Sequence, residues 1–254
     1  GRPKKPETTA KELKTARKTS LKNLPPLSII FENDDVLVVD KPAGMLTHPT
    51  DVSSVPTLMD AAIAHDKRIA RAGNDPHRAG IVHRLDKDAS GIVIIAKNNA
   101  SLEHLKQQFR ERRVEKHYHV LVSGRLEKET DTLTRRIARS KKNGRMVARP
   151  TSQEGKEAIT HYDVRTRFAN ATELSVRLET GRTHQIRVHL HALGHPVVGD
   201  TLYTIKNQKQ IPLSRLWLHA EALTITLPDE SEPRTFTSPL PDALTQLIHT
   251  LHVL

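Results

Sequence analysis

Apolar residues along this chain come in short blocks divided by polar turns. Ile29-Ile30-Phe31 and Val36-Leu37-Val38-Val39 flank the polar stretch Glu32-Asn33-Asp34-Asp35, and Ile92-Val93-Ile94-Ile95-Ala96 follows Gly91. Such blocks read as buried strands. Lys116 to Val122 alternates, as do Leu174, Val176, Leu178 and later Leu223, Ile225, Leu227, which predicts half-buried strands, with residues 157–168 and 172–179 forming a pair. Three stretches carry helical spacing. Ser54 and Pro56 open a helix running to His65, Asn98 or Asn99 caps one with Leu102, Leu105 and Phe109 on one face, and Thr183 caps one with Ile186, Leu190 and Leu193. Gly194 stops that last helix. Residues 66–80 read as a polar loop, and Asn143-Gly144 predicts a two-residue hairpin turn. Strands and helices interleaved in this way place the chain in the α/β class, without fixing a topology.

Charge adds a partner. Forty Lys and Arg against 29 Asp and Glu give a formal charge of +11, which favours a polyanion such as nucleic acid. Residues 1–26 are the most biased part, with eight Lys or Arg, two Glu and Pro3, Pro6, Pro25 and Pro26, so they read as a basic, flexible tail or linker ahead of one domain over 27–254. There are no cysteines, which excludes disulfides and thiolate metal sites. No apolar run approaches the roughly 20 residues of a membrane span, and no signal-peptide core is visible. The expectation is a cytoplasmic protein that does not enter a membrane. Aromatic residues are 3% of the chain, so stacking on nucleobases falls to one or two named rings.

The candidate chemistry centres on His83-Arg84-Leu85-Asp86-Lys87-Asp88-Ala89-Ser90-Gly91, a turn that feeds the strand at Ile92. Asp86, Asp88, Ser90 and Gly91 match half of a calcium loop, but its closing acid falls on Lys97, a cation. A carboxylate on a turn beside Arg and His suits a positioned nucleophile or base instead. His184, Arg187 and His191 share a helical face, yet an arginine between two histidines is a poor metal site. Arg110, Arg112 and Arg113 suit either a helix C-terminus or phosphate. Arg135, Arg136, Arg139, Lys141, Lys142, Arg145 and Arg149 crowd the predicted hairpin, as a phosphate clamp or a solvated loop.

His83 to Gly91 resembles the catalytic signature of the RluA-type pseudouridine synthases, with Ala89 where that family usually carries a hydroxyl residue. Asp34 to Pro49, the Lys116-x-Tyr118 pair, Gly181 to Arg187 and Gly194 to Asp200 extend the resemblance in the family's order, over about residues 29 to 245. It implies a mixed, largely antiparallel sheet with flanking helices and a basic RNA-binding cleft, an α+β layout, and an enzyme that isomerises uridine in structured ribosomal or transfer RNA without metal or organic cofactor, as a monomer. Members often carry a small RNA-binding domain first. Residues 1–26 are too short and polar to hold one, so it is expected to be absent or cut away. By the resemblance Asp86 is the catalytic carboxylate, Tyr118 packs on the uracil and handles its C5 proton, and Arg182 pairs with Asp86. Arg84 braces the place of the flipped base, and His83, Lys116, Arg187, Arg139, Lys141 and Lys142 contact RNA. A non-catalytic RNA-binding protein on the same scaffold stays open, as does a two-carboxylate glycosidase using Asp86 and Asp88, although residues two apart on an extended turn point to opposite sides.

Overall fold

A computed structural model describes residues 24–50 and 55–253. The predicted tail lies outside the described residues as far as residue 23, as does the expected cap Ser54. Ten strands form one sheet: β1 (Ser28–Glu32), β2 (Val36–Lys41), β3 (Ser90–Ala96), β4 (Glu115–Ser123), β5 (Thr130–Arg139), β6 (Met146–Arg149), β7 (Lys156–Arg167), β8 (Ala171–Leu178), β9 (Leu218–Ile225) and β10 (Arg234–Thr237). The helices among the described residues are α1 (Leu58–His65), α2 (Asn99–Arg110), α3 (Gln185–Ala192) and α4 (Asp242–His249), with a 3-10 turn at Lys67–Arg71 inside the stretch expected to be a loop. No described helix is long and apolar enough to cross a membrane.

The strand order is β1-β2-β3-β9-β4-β8-β7-β5-β6, with β10 also on β9. Every described pairing between strands is antiparallel except that of β3 with β9, so the expected mixed, largely antiparallel sheet is what forms. The period of two, with both faces covered, explains the unbroken apolar runs over residues 36–39 in β2 and 92–96 in β3. Leu37, Val39, Val93 and Ile95 join α1 and α3 on one face, while Val36, Val38, Ile92 and Ile94 meet Leu102 and Leu105 of α2 on the other.

β9 is a fork. It touches β3 through Ser90↔His219 and Gly91↔Ala220 and then turns to β10 from Ala222 onward. At this seam a Cβ on Gly91 would stand 2.3 Å from the Ala220 carbonyl oxygen, and its φ of 116° is one that side chains disfavour. Gly91→Ala is therefore expected to lower unfolding free energy by about 3 kcal/mol or more, measured by urea titration. A loss below about 1 kcal/mol would show that the seam is not tightly packed.

Local signals explain most helix ends. Thr57, not Ser54, caps α1, with Asp60 closing a capping box. Asn98 caps α2. Thr183 does not cap α3: His184 holds that position at φ 56°, with its ring against Tyr203 rather than on a backbone amide. The hairpin also differs from expectation. Ser140 and Arg145 close a four-residue turn, through Ser140 N–H to Arg145 O (2.7 Å), and Gly144 alone of its central residues takes positive φ. A two-residue turn of the expected kind needs positive φ at both positions, and Asn143 does not adopt it.

Candidate active site

Asp86 stands at the lip of β3, in a turn closed by Ala89 N–H to Asp86 O (3.2 Å). Ala89 is buried in the core beneath, so no hydroxyl is needed to close this turn. A loop from the end of β2 clamps it from the side. Thr47 Oγ1 donates to Leu85 O (3.0 Å) and accepts from Leu85 N–H (3.2 Å), while Gly44 N–H donates to Lys87 O (2.8 Å). The fully buried Lys41 finishes the clamp, its Nζ donating to the carbonyls of Pro42, Met45 and Lys87 at 2.8, 2.9 and 3.2 Å. Three acceptors match the three protons of an ammonium. Burial draws Lys41 down to about 7, and the nearby Asp86 and Asp88 charges oppose that. Asp88 itself is exposed and does not line the cleft, as expected for a neighbour two residues away.

The partner of Asp86 is Arg187, whose Nη1 donates to Asp86 Oδ2 at 3.2 Å. The expected pair with Arg182 does not form: Arg182 Nε donates instead to Glu157 O (2.9 Å). The reason lies in α3, which begins at Gln185 and buries Arg187, while Arg182 remains on the loop before it. Arg187 is fixed from behind by Asp200, with Nε on Oδ2 at 2.7 Å and Nη2 on Oδ1 at 2.8 Å, a bidentate pair. Asp200 also accepts from the N–H groups of Leu202 (2.8 Å) and Tyr203 (2.9 Å), and the Arg187 guanidinium lies over the Tyr203 ring at 5.1 Å. Burial opposes the charge of Asp200, but its bonds to Arg187 and to these amides hold it below the usual carboxylate range.

Asp86 and Tyr118 both line a cleft of about 500 Å³, with apolar walls from Ile81, Leu85, Leu178, Ile186 and Leu218 and a basic rim of Arg78, Arg84, Arg110, Arg112, Lys116 and Arg182. Tyr118 is buried, which raises its hydroxyl above the ordinary value of 10, and the Asp86 charge adds to the rise. It therefore stays a neutral phenol at physiological pH. Among the described residues no group of three His, Asp or Glu is placed to hold a metal.

The other predicted contacts separate into two places. Arg84 is exposed, with Nη1 3.5 Å from Nε2 of His48, a weak tether. Burial, with Arg84 next, pulls His48 down to about 4, leaving it a neutral acceptor. His83 serves the fold: Nε2 accepts from Ile94 N–H (3.0 Å) and the ring stacks on Phe109 at 5.0 Å, while burial draws it to about 3. Lys116 lines the cleft without a partner among the described residues, and burial, then Arg112, lowers it to about 8. Arg139, Lys141 and Lys142 are not brought to the cleft wall. Arg139 Nη1 donates to Gly144 O (2.8 Å), and the two lysines stand exposed on the hairpin. Sequence reasoning passed over Lys41 and Asp200. A lysine ending an apolar strand and an acid after the apolar Val197-Val198 were the signals available.

The site is thus a carboxylate paired with a buried arginine, sharing with a tyrosine a cleft rimmed by cations in a mixed, largely antiparallel sheet. Residues 35–192 match the family described as RNA pseudouridylate synthase, and the chain belongs to that family. It is 39% identical over 232 residues to ribosomal large subunit pseudouridine synthase D of Nitrosomonas europaea, and 42% identical over 198 residues to an uncharacterized RNA pseudouridine synthase of Aquifex aeolicus. These alignments cover 89% and 77% of this chain but 65% and 61% of those relatives, so the chain spans under two thirds of their length. Human RNA pseudouridylate synthase domain containing 1 shares the fold with a TM-score of 0.71 and 29% identity, over 92% of this chain and 90% of that one.

Proposed function

We propose that this chain converts uridine to pseudouridine in structured RNA, ribosomal RNA before transfer RNA. The observation that carries the reading is the Asp86 carboxylate, held by Arg187 and opening beside Tyr118 into the basic cleft. The preference for ribosomal RNA leans on the name of the Nitrosomonas relative. In this reaction the N1–C1′ bond breaks, the uracil turns, a C5–C1′ bond forms, and the proton on C5 leaves while N1 gains one. Atoms and electrons balance within the nucleotide, so nothing is oxidised or reduced. Asp86 supplies the nucleophile, or the charge facing the sugar as the bond breaks, and Arg187 keeps its oxygen aimed. The apolar walls hold the detached base until it rejoins. Arg84, weakly tethered in the free protein, braces the gap left when the nucleotide turns out of its stack.

The test is RNA carrying tritium at uracil C5. Release of tritium to water together with pseudouridine in the digested product is expected, and free uracil would mean a hydrolase instead. Tyr118 as a neutral phenol can pass a proton on through its hydroxyl. Tyr118→Phe is accordingly expected to slow tritium release by about a hundredfold with RNA affinity little changed. A near-normal rate would leave Tyr118 with packing alone.

A further inference from the structure

Arg112 occupies a backbone position that favours glycine. Just past α2, Arg112 N–H donates to Phe109 O (3.4 Å) and Arg113 N–H to Gln108 O (3.0 Å), a Schellman arrangement with Arg112 at φ 57°. A Cβ is disfavoured at that φ. What this position provides is reach. Arg112 Nη2 meets Glu157 Oε2 at 2.8 Å, tying the end of α2 to the start of β7, and Arg182 Nε donates to the backbone oxygen of the same glutamate. The side chains of the ion pair are 46% and 52% exposed, so it adds little to stability. Lys116 lines the same cleft with no partner among the described residues, and the terminal nitrogens of Arg182 are likewise unpaired among them. Three of the rim's cations therefore lie on the α2, β4 and α3-loop side of the cleft, and the carboxylate on Arg112 belongs to Glu157.

We propose that Arg112, Lys116 and Arg182 form a phosphodiester-binding subsite at the mouth of the cleft, and that Glu157 stands in for that phosphate until RNA displaces it. The proposal rests on the reading of the chain as an RNA enzyme and adds where the backbone is gripped. A carboxylate and a phosphodiester offer a guanidinium the same pair of oxygens. A lone anion competing for Arg112 meets a resident rival, whereas RNA that also reaches Lys116 and Arg182 gains contacts the glutamate cannot supply. Binding at this point is an exchange of ion pairs.

Wild type, Arg112→Gly, Glu157→Gln and the double variant test this through thermal melting and fluorescence anisotropy with a labelled uridine-containing RNA hairpin at fixed salt. Arg112→Gly is expected to keep its melting temperature, because glycine suits the left-handed position, and to bind about five- to tenfold more weakly. Glu157→Gln is expected to bind about three- to fivefold more tightly, with that gain absent when Arg112 is glycine. An unchanged or weaker affinity in Glu157→Gln overturns the exchange. So does a gain that persists in the double variant, which marks diffuse charge, or a marked drop in the melting temperature of Arg112→Gly, which marks a structural arginine. RNA bound without response to either residue defeats this subsite alone, whereas no RNA binding by any of the proteins defeats the functional reading with it.

Discussion

Asp86→Asn is expected to cut tritium release from C5-labelled uridine to below a few per cent of wild type, the scale on which losing a catalytic nucleophile acts. The fold should hardly notice. Asn keeps an oxygen that can accept from Arg187 Nη1, and Arg187 retains both of its bonds to Asp200. Loss of the charged component of a single hydrogen bond costs about 1 kcal/mol. Affinity for RNA should also persist, because the rim cations are untouched and Asp86 contributes a repulsive charge to a polyanion. The combination is what identifies the residue: turnover lost, binding and melting retained. A variant turning over at more than a few per cent of the wild-type rate would remove Asp86 from the chemistry.

Asp200→Asn is expected to be the most damaging change outside the cleft. The Asp200 side chain has no exposed surface, receives two bonds from Arg187 and two from backbone amides, and is the reason Arg187 can be buried as a cation. Removing one partner of a buried pair costs about 3–5 kcal/mol, much of it the charge left behind. The asparagine amide would also face the guanidinium with a donor where an acceptor is required. Denaturation should report that loss. Single-turnover assays on protein kept folded should show a fall of about ten- to a hundredfold in rate, with a smaller change in RNA affinity, as Arg187 loses its aim on Asp86. Stability and rate both near wild type would mean that Asp86 by itself is enough to seat Arg187.

The short apolar blocks identify their own strands because burial on both faces leaves no polar position between Val36 and Val39 in β2 or between Ile92 and Ala96 in β3. The turn at Asp86 was equally legible, since its residues are contiguous. Partnership across the chain was not. Asp86 and Arg187 lie 101 positions apart, and nothing in local spacing distinguishes Arg182 from Arg187 until α3 begins at Gln185. Thr183 looked like the cap because hydroxyl residues accept from helix amides. The chain instead uses His184 in left-handed conformation, an arrangement made tolerable by its hydrogen bond to Tyr203, which follows a separate loop. The fork at β9 was equally hidden, for a parallel contact of two residues leaves no periodic trace.

That fork has a mechanical consequence. Asp86 travels with β1, β2 and β3, whereas Tyr118 is on β4 and Arg187 is on a helix packed against β5, β6 and β7. Asp86 and its neighbours in the site therefore belong to opposite leaves of the sheet, joined along the backbone ladder by the short seam at Ser90 and Gly91. Any widening of that seam alters the reach from Asp86 to Arg187 directly, with no lever arm between. The reach from Asp86 to Arg187 thus acts as a strain gauge for the sheet, and a substitution that loosens the seam should register in turnover as well as in fold.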